Sequence, residues 1–158
     1  MKKVKLFAVM CLLSVVTVSA GCAATTAWWE NFEANPVAQV QTFEQGVQVT
    51  LSGATIAFTV LLPKLPAADQ AAATTDFNNA VVSVNHALQA LNDAVTAAVD
   101  AKQANPNFAG AIAAATDAVN QVIAIVDQYT KKVPAPAPAL PGLADAKLGA
   151  QHLTRWKK

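Results

Sequence analysis

The sequence predicts an all-α protein: an antiparallel up-down-up three-helix bundle with a flexible N-terminal tether and a Pro-rich C-terminal tail. Three observations predict it. Alanine supplies 35 of the 158 residues and glycine only six, a balance that favours helix over sheet. Two long segments place apolar residues at alternating steps of four and three, the spacing of a single helix face. Prolines fall between the apolar segments or at their starts, where they stop helices or open them.

The first segment reads as an address. Residues 1–5 are MKKVK, residues 6–18 are an uncharged run, and Ser19, Ala20 and Gly21 lead to Cys22. A basic start, an apolar middle and small residues at the end make a secretory signal peptide. The apolar run is shorter than the roughly 20 residues that span a bilayer as a helix. Boundaries follow: 1–21 signal peptide, 22–35 tether, 36–130 helical bundle, 131–158 Pro-rich linker and basic tail.

Ser19-Ala20-Gly21-Cys22 resembles the lipobox of bacterial secretory lipoproteins, with Ser19 where that family usually has leucine. The resemblance implies that Cys22 becomes the first mature residue and carries the lipid. It also implies export to the cell envelope, and Ala23 in place of an aspartate implies sorting to the outer membrane, facing the periplasm. Cysteine usage points the same way. Cys11 leaves with the signal, so Cys22 would otherwise be an unpaired thiol in an oxidising compartment. A cut by an ordinary signal peptidase after Ala20 is the competing reading. Trp28 and Trp29 lie just beyond Cys22. Tryptophan suits a membrane interface, where its ring is buried and its N–H meets polar groups. They also suit a cap on the base of the bundle.

Three helices are expected over about 36–62, 67–104 and 106–130. Asn35-Pro36 and Asn105-Pro106 each read as an N-cap followed by proline at the first helical position. Pro63 and Pro66 break the chain between the first two. In the second interval Phe77, Val81, Val84, Leu88, Leu91, Val95 and Ala98 form the stripe. In the third it is Phe108, Ile112, Ala115, Val119, Val122, Val126 and Tyr129. Short links make sequential helices antiparallel neighbours.

The first interval carries Val37, Val40, Val47, Leu51, Ala54, Phe58 and Leu61 on its seam, with Val49, Ile56 and Val60 off it. Residues 46–62 hold no charge. A central helix buried by both neighbours is the first reading, a homo-oligomer or partner surface the second, and a membrane span the third.

The tail contains VPAPAPAL at 133–140, an extended polyproline spacer. Beyond it Leu148, His152 and Trp156 recur every fourth residue, as on one face of a short helix. Residues 22–130 carry a net charge of −7 and residues 131–158 a net charge of +5, so an acidic body bears a basic end. A basic, tryptophan-tipped end suits an anionic surface, and a solubilising tail folded back on the acidic body has the same composition. The ending Thr154-Arg155-Trp156-Lys157-Lys158 is similar to that of Braun-type murein lipoproteins. That resemblance implies Lys158 as a peptidoglycan linkage residue.

Catalytic chemistry is hard to place. Asn79, His86, Asp93 and Asp100 recur every seven residues, about 10 Å apart along a helix, too far to share one ion. No G-x-S-x-G or Gly-rich phosphate loop occurs. The expectation is therefore a non-enzyme with no metal, no cofactor and no nucleic-acid partner. Its function would be that of a lipid-anchored helical envelope protein with a structural or protein-interaction role. The alternatives are a small membrane-embedded, holin-like or pore-like protein inserting residues 46–62, or a periplasmic carrier of apolar ligands.

Overall fold

The computed structural model describes residues 35–99, 107–134 and 138–157. These residues are helical with no strand among them, and they form four α-helices. They are α1 (Pro36–Leu61), α2 (Ala67–Val99), α3 (Phe108–Thr130) and α4 (Leu143–Thr154), with short 3-10 turns at Leu62–Lys64 and Arg155–Lys157.

Each boundary has a local cause. Asn35 caps α1 by accepting a 3.3 Å hydrogen bond from the Ala38 N–H, and Pro36 fills the position that needs no donor. After the turn at Pro63, Leu65 is extended, as a residue before proline prefers. The cap of α3 is Asn107, whose side chain accepts from the Gly110 N–H at 2.9 Å. The expected cap, Asn105, lies outside the described residues. Asn107 can serve because its side chain stands three residues before a first-turn N–H that has no helical partner. Helix α2 begins at Ala67 and passes through Thr74 and Thr75 without a break. Their hydroxyls donate to the carbonyls of Gln70 and Ala71, which keeps polar groups satisfied inside a regular helix.

Side-chain pairs fix the directions. Phe58 of α1 stacks on Phe77 of α2 with ring centroids 4.1 Å apart, and Asn92 Nδ2 of α2 donates to Glu44 Oε1 of α1 at 2.6 Å. Positions that rise on α1 fall on α2, so the two are antiparallel. The Tyr129 hydroxyl of α3 donates to Asp76 at 2.7 Å, and Lys132 just beyond α3 pairs with Asp69 at 2.7 Å. Thus α3 is antiparallel to α2.

The expected three-helix product gains a fourth member from the tail. Helix α4 lies along α1, and α2 packs most extensively with α3. Gly46 faces Leu153, Thr50 faces Gly149, and Gly53 faces Gly142 and Ala146. Each step up α1 meets an equal step down α4, which makes that pair antiparallel as well. The tail folds because its backbone can come close. A Cβ on Gly53 would sit 2.7 Å from the Gly142 carbonyl oxygen, and one on Gly142 would sit 2.6 Å from the Gly53 oxygen. Gly142 also adopts φ +85° to start the helix, a conformation that glycine takes without strain. Lys147 pairs with Asp127 of α3 at 2.8 Å.

The core follows both expected stripes. All seven stripe residues of α3 are buried, as are Phe77, Val84, Leu88 and Leu91 of α2. In α1 the buried set is Val40, Phe43, Val47, Thr50, Leu51, Gly53, Ala54, Ala57, Phe58 and Leu61, while Val37, expected on the seam, is exposed because it lies in the first turn, before the core begins at Val40. Two expectations about faces need correction. Helix α1 is not covered on all sides, because Val49 and Ile56 are 67% and 49% exposed. In α4 the buried face is Ala146, Ala150 and Leu153, while Leu148 is 56% exposed and His152 is exposed. The every-fourth apolar pattern selected the wrong side because the close contact with α1 is made by small residues.

Candidate functional site

Cys22, Trp28, Trp29 and Lys158 lie outside the described residues. What the fold does place is the start of α1 and the end of the chain beyond α4. The chain enters α1 at Asn35, and α4 runs antiparallel to α1, so the tail returns toward that same end. Trp156 packs edge-on against Phe43 of α1, with ring centroids 5.4 Å apart and planes at 63°. Arg155, Trp156 and Lys157 form a 3-10 turn there, with Arg155 exposed and Trp156 half-buried. The C-terminal end of α2 at Val99 and the start of α3 at Phe108 share this pole. Arg155 and the start of α1 at Asn35 therefore lie at one end of the bundle.

The opposite pole carries a polar cluster that sequence reading missed. Tyr129, read as the last residue of an apolar stripe, is buried yet offers its hydroxyl to Asp76. The carboxylate holds the phenol above its ordinary pKa by accepting that hydrogen bond, and burial adds to the effect. Lys132 lies 4.8 Å from the centre of the Tyr129 ring and pairs with Asp69, which raises the lysine pKa. Tyrosine at a stripe end was the available signal, since a buried phenol needs a partner for its O–H. Nearer the Trp156 end, beside Phe43, Glu44 is half-buried, and desolvation raises its carboxyl pKa although the Asn92 hydrogen bond offsets part of the shift. These groups tie helices together.

Asn79, His86 and Asp93 are exposed along the outer face of α2, and Asp100 lies outside the described residues. Among the described residues no group of three or more His, Cys, Asp or Glu could hold a metal ion. Among the described residues the surface includes two open grooves of note. One, about 350 Å³, lies between α2 and α3 and is lined by Asp76, Asn79, Ser83, Gln121 and Gln128 among others. The other, about 250 Å³, lies between α3 and α4 beside Ile123, Asp127 and Lys147. Amide and hydroxyl groups dominate the first, which suits water better than an apolar ligand.

Helices covering Pro36–Lys64 and Phe108–Thr130 are long and apolar enough to cross a membrane by length and composition, each containing an 18-residue stretch with a mean hydropathy of 1.5. In α3 the apolar stripe is spent on the core. In α1 the charge-free stretch splits between a buried side and a side with Val49 and Ile56 in the open. The hydroxyls of Thr50 and Thr59 donate to carbonyls one turn back.

In comparisons with known proteins, no protein-family model, no curated protein and no solved structure matches this chain.

Proposed function

We propose that this chain is a lipid-anchored, non-catalytic helical protein of the bacterial cell envelope with a structural or partner-binding role. The observation that carries the reading is the basic–apolar leader ending in Ser19-Ala20-Gly21-Cys22. Cys22 is the residue acylated, and Trp28 and Trp29 settle at the lipid–water boundary. The outer membrane, on its periplasmic side, is the proposed address. The fold supports the reading in one respect. The apolar stripes of the three long helices are directed into a shared core, so the body can stand in water beside a membrane.

Insertion of residues 46–62 into the bilayer is the second reading. It is favoured by the exposed Val49 and Ile56 on an uncharged helix side. Against it, Phe43, Val47, Phe58 and Leu61 are already buried against the other helices, and α4 occupies a further side of α1.

Two measurements test the proposal. Intact mass of the protein purified from membranes should correspond to a chain beginning at Cys22 with acyl groups added. A Cys22→Ser variant should leave the membrane on alkaline carbonate extraction. An unmodified mature chain defeats the anchor, and a variant that stays in the carbonate pellet favours insertion.

A further inference from the structure

We infer that α4 is a releasable strap. Docked, it keeps the uncharged side of α1 out of a bilayer; released, it lets that side lie against the acyl chains at a phospholipid surface. The inference builds on the second reading above, contact of residues 46–62 with lipid, and does not require the anchor at Cys22. The strap is lightly held. Its buried residues are Ala146, Ala150 and Leu153, whereas α1 and α3 bury branched and aromatic side chains along their length. Stability from burial scales with apolar area, so α4 is the helix that opens first. Its ion pair, Lys147 with Asp127, lies at the surface, where such pairs contribute little. Opening leaves α1 seated on α2, because the Phe58–Phe77 stack and the Glu44–Asn92 hydrogen bond do not involve α4.

What the strap covers is matched to lipid. Gly46, Thr50 and Gly53 lie under α4. Val49, Ile56 and Val60 stand three or four positions from them, on the adjoining strip of the same helix. Val49 and Ile56 are exposed already, and Val60 is half-buried. The strip is thus continuous with the α1–α4 seam, and residues 46–62 carry no charge. The hydroxyls of Thr42, Thr50 and Thr59 donate to carbonyls one turn back, so they enter an apolar medium with partners in place. Acyl chains offer neither charge nor hydrogen bonds, and this surface asks for neither. Docked α4 spoils the match. Asp145 and His152 stand three or four positions from the seam residues Gly142 and Gly149, on the side away from Lys147, and both are exposed. That spacing sets them beside the Val49–Ile56 strip, where burying the strip would carry a carboxylate toward the acyl layer. With α4 gone, the uncharged side is wide enough to lie in the interface while the opposite side stays on its core. The bilayer favours the released state because it binds that state alone.

A disulfide lock on the full membrane-purified protein tests it. A Cβ at position 149 stands 3.2 Å from the Thr50 Cβ, near the roughly 3.5–4.5 Å of a disulfide. Thr50→Cys with Gly149→Cys should therefore join α4 to α1 on oxidation, as peptide mapping confirms. The oxidised and the reduced protein are placed on vesicles of phosphatidylcholine and phosphatidylglycerol. A fraction of the phosphatidylcholine carries a diazirine in its acyl chain, and the adducts formed on illumination are mapped by mass spectrometry. Adducts within residues 46–60 should be several-fold more abundant in the reduced protein than in the oxidised one. Gly53→Ala, which crowds the Gly142 carbonyl, should raise them above the parent. Equal adducts in the oxidised and reduced protein overturn the strap and leave the lipid contact of α1 standing. Absence of adducts from residues 46–60 in both defeats the lipid contact and the strap together. A reduced protein that dimerises on the vesicles in place of forming adducts assigns the face to a second copy, which also overturns the inference. Failure of the disulfide to form contradicts the seam itself.

Discussion

Gly53 and Gly142 approach so closely that neither can carry a side chain: each one's carbonyl oxygen occupies the space of the other's missing Cβ, at 2.7 and 2.6 Å. The contact lies at the start of α4 and makes the tail part of the bundle. Both obstructing atoms are backbone, so the strain of a substitution cannot be relieved by a rotamer change.

Gly53→Ala should therefore destabilise the fold by about 1–3 kcal/mol, the range for overpacking. Gly46→Ala is the contrast. Its Cβ would meet only the Leu153 Cδ2 at 3.2 Å, the movable end of a side chain, and alanine is the better helix former by about 1 kcal/mol. That variant should fall within about 1 kcal/mol of the parent. Urea denaturation checks the pair, and equal losses at the two positions would contradict the close backbone approach.

One turn along, a Cβ at position 149 would collide with the Thr50 hydroxyl. Gly149→Ala alone should lower stability, and adding Thr50→Ala should recover part of the loss. A double-mutant cycle should give a favourable coupling of about 0.5 kcal/mol or more, as for residues in contact. Strict additivity would mean that α4 does not lie where described.

Leu153 is buried at the other end of this seam. Leu153→Ala should cost about 2–5 kcal/mol, the range for a large-to-small change in a core. Leu148→Ala, at an exposed position of the same helix, should change stability by no more than about 0.5 kcal/mol. The same denaturation experiment reads both, and a larger loss at Leu148 would restore the face expected from apolar spacing.

Tyr129 is the sole tyrosine, so tyrosinate absorbance reports it alone. Its midpoint should lie above the ordinary tyrosine value, because the phenol donates to Asp76, and Asp76→Asn should lower it. The phenol's folded pKa is raised, so its contribution to stability is complete below the unfolded pKa near 10. That contribution is lost as pH rises through the folded value. A midpoint at or below the ordinary value would remove the Asp76 hydrogen bond from the account.

Glu44 gives a second pH dependence. Burial raises its pKa, so ionising it opposes folding, and the stability present below the unfolded pKa declines as pH rises through the folded one. Glu44→Gln keeps an oxygen to accept from Asn92 without the charge. It should raise the thermal midpoint at pH 7, and the gain should close as pH falls through the carboxylate range. A constant difference across that range would assign the effect to something other than ionisation.

The sequence by itself determined the helical class, the breaks at Pro63 and Pro66, the cap at Asn35 and the inward faces of α2 and α3. Those features are encoded locally: a heptad stripe or an Asn-Pro pair constrains its own few turns whatever lies beside it. The leader and the Ser19–Cys22 stretch are equally local, and they supply the candidate anchor. Only the tertiary structure decided that the short helix at residues 143–154 packs along α1 through its small residues, and that Phe43 and Trp156 meet. It alone placed the basic turn beside the start of the bundle. These depend on complementary surfaces far apart in the chain. Gly53 and Gly142 have no side chains to mark a hydrophobic face, and their value lies in how closely two backbones can approach. Apolar spacing cannot register such a contact, which is why it put Leu148 on the buried side of α4 and left Tyr129 without its carboxylate.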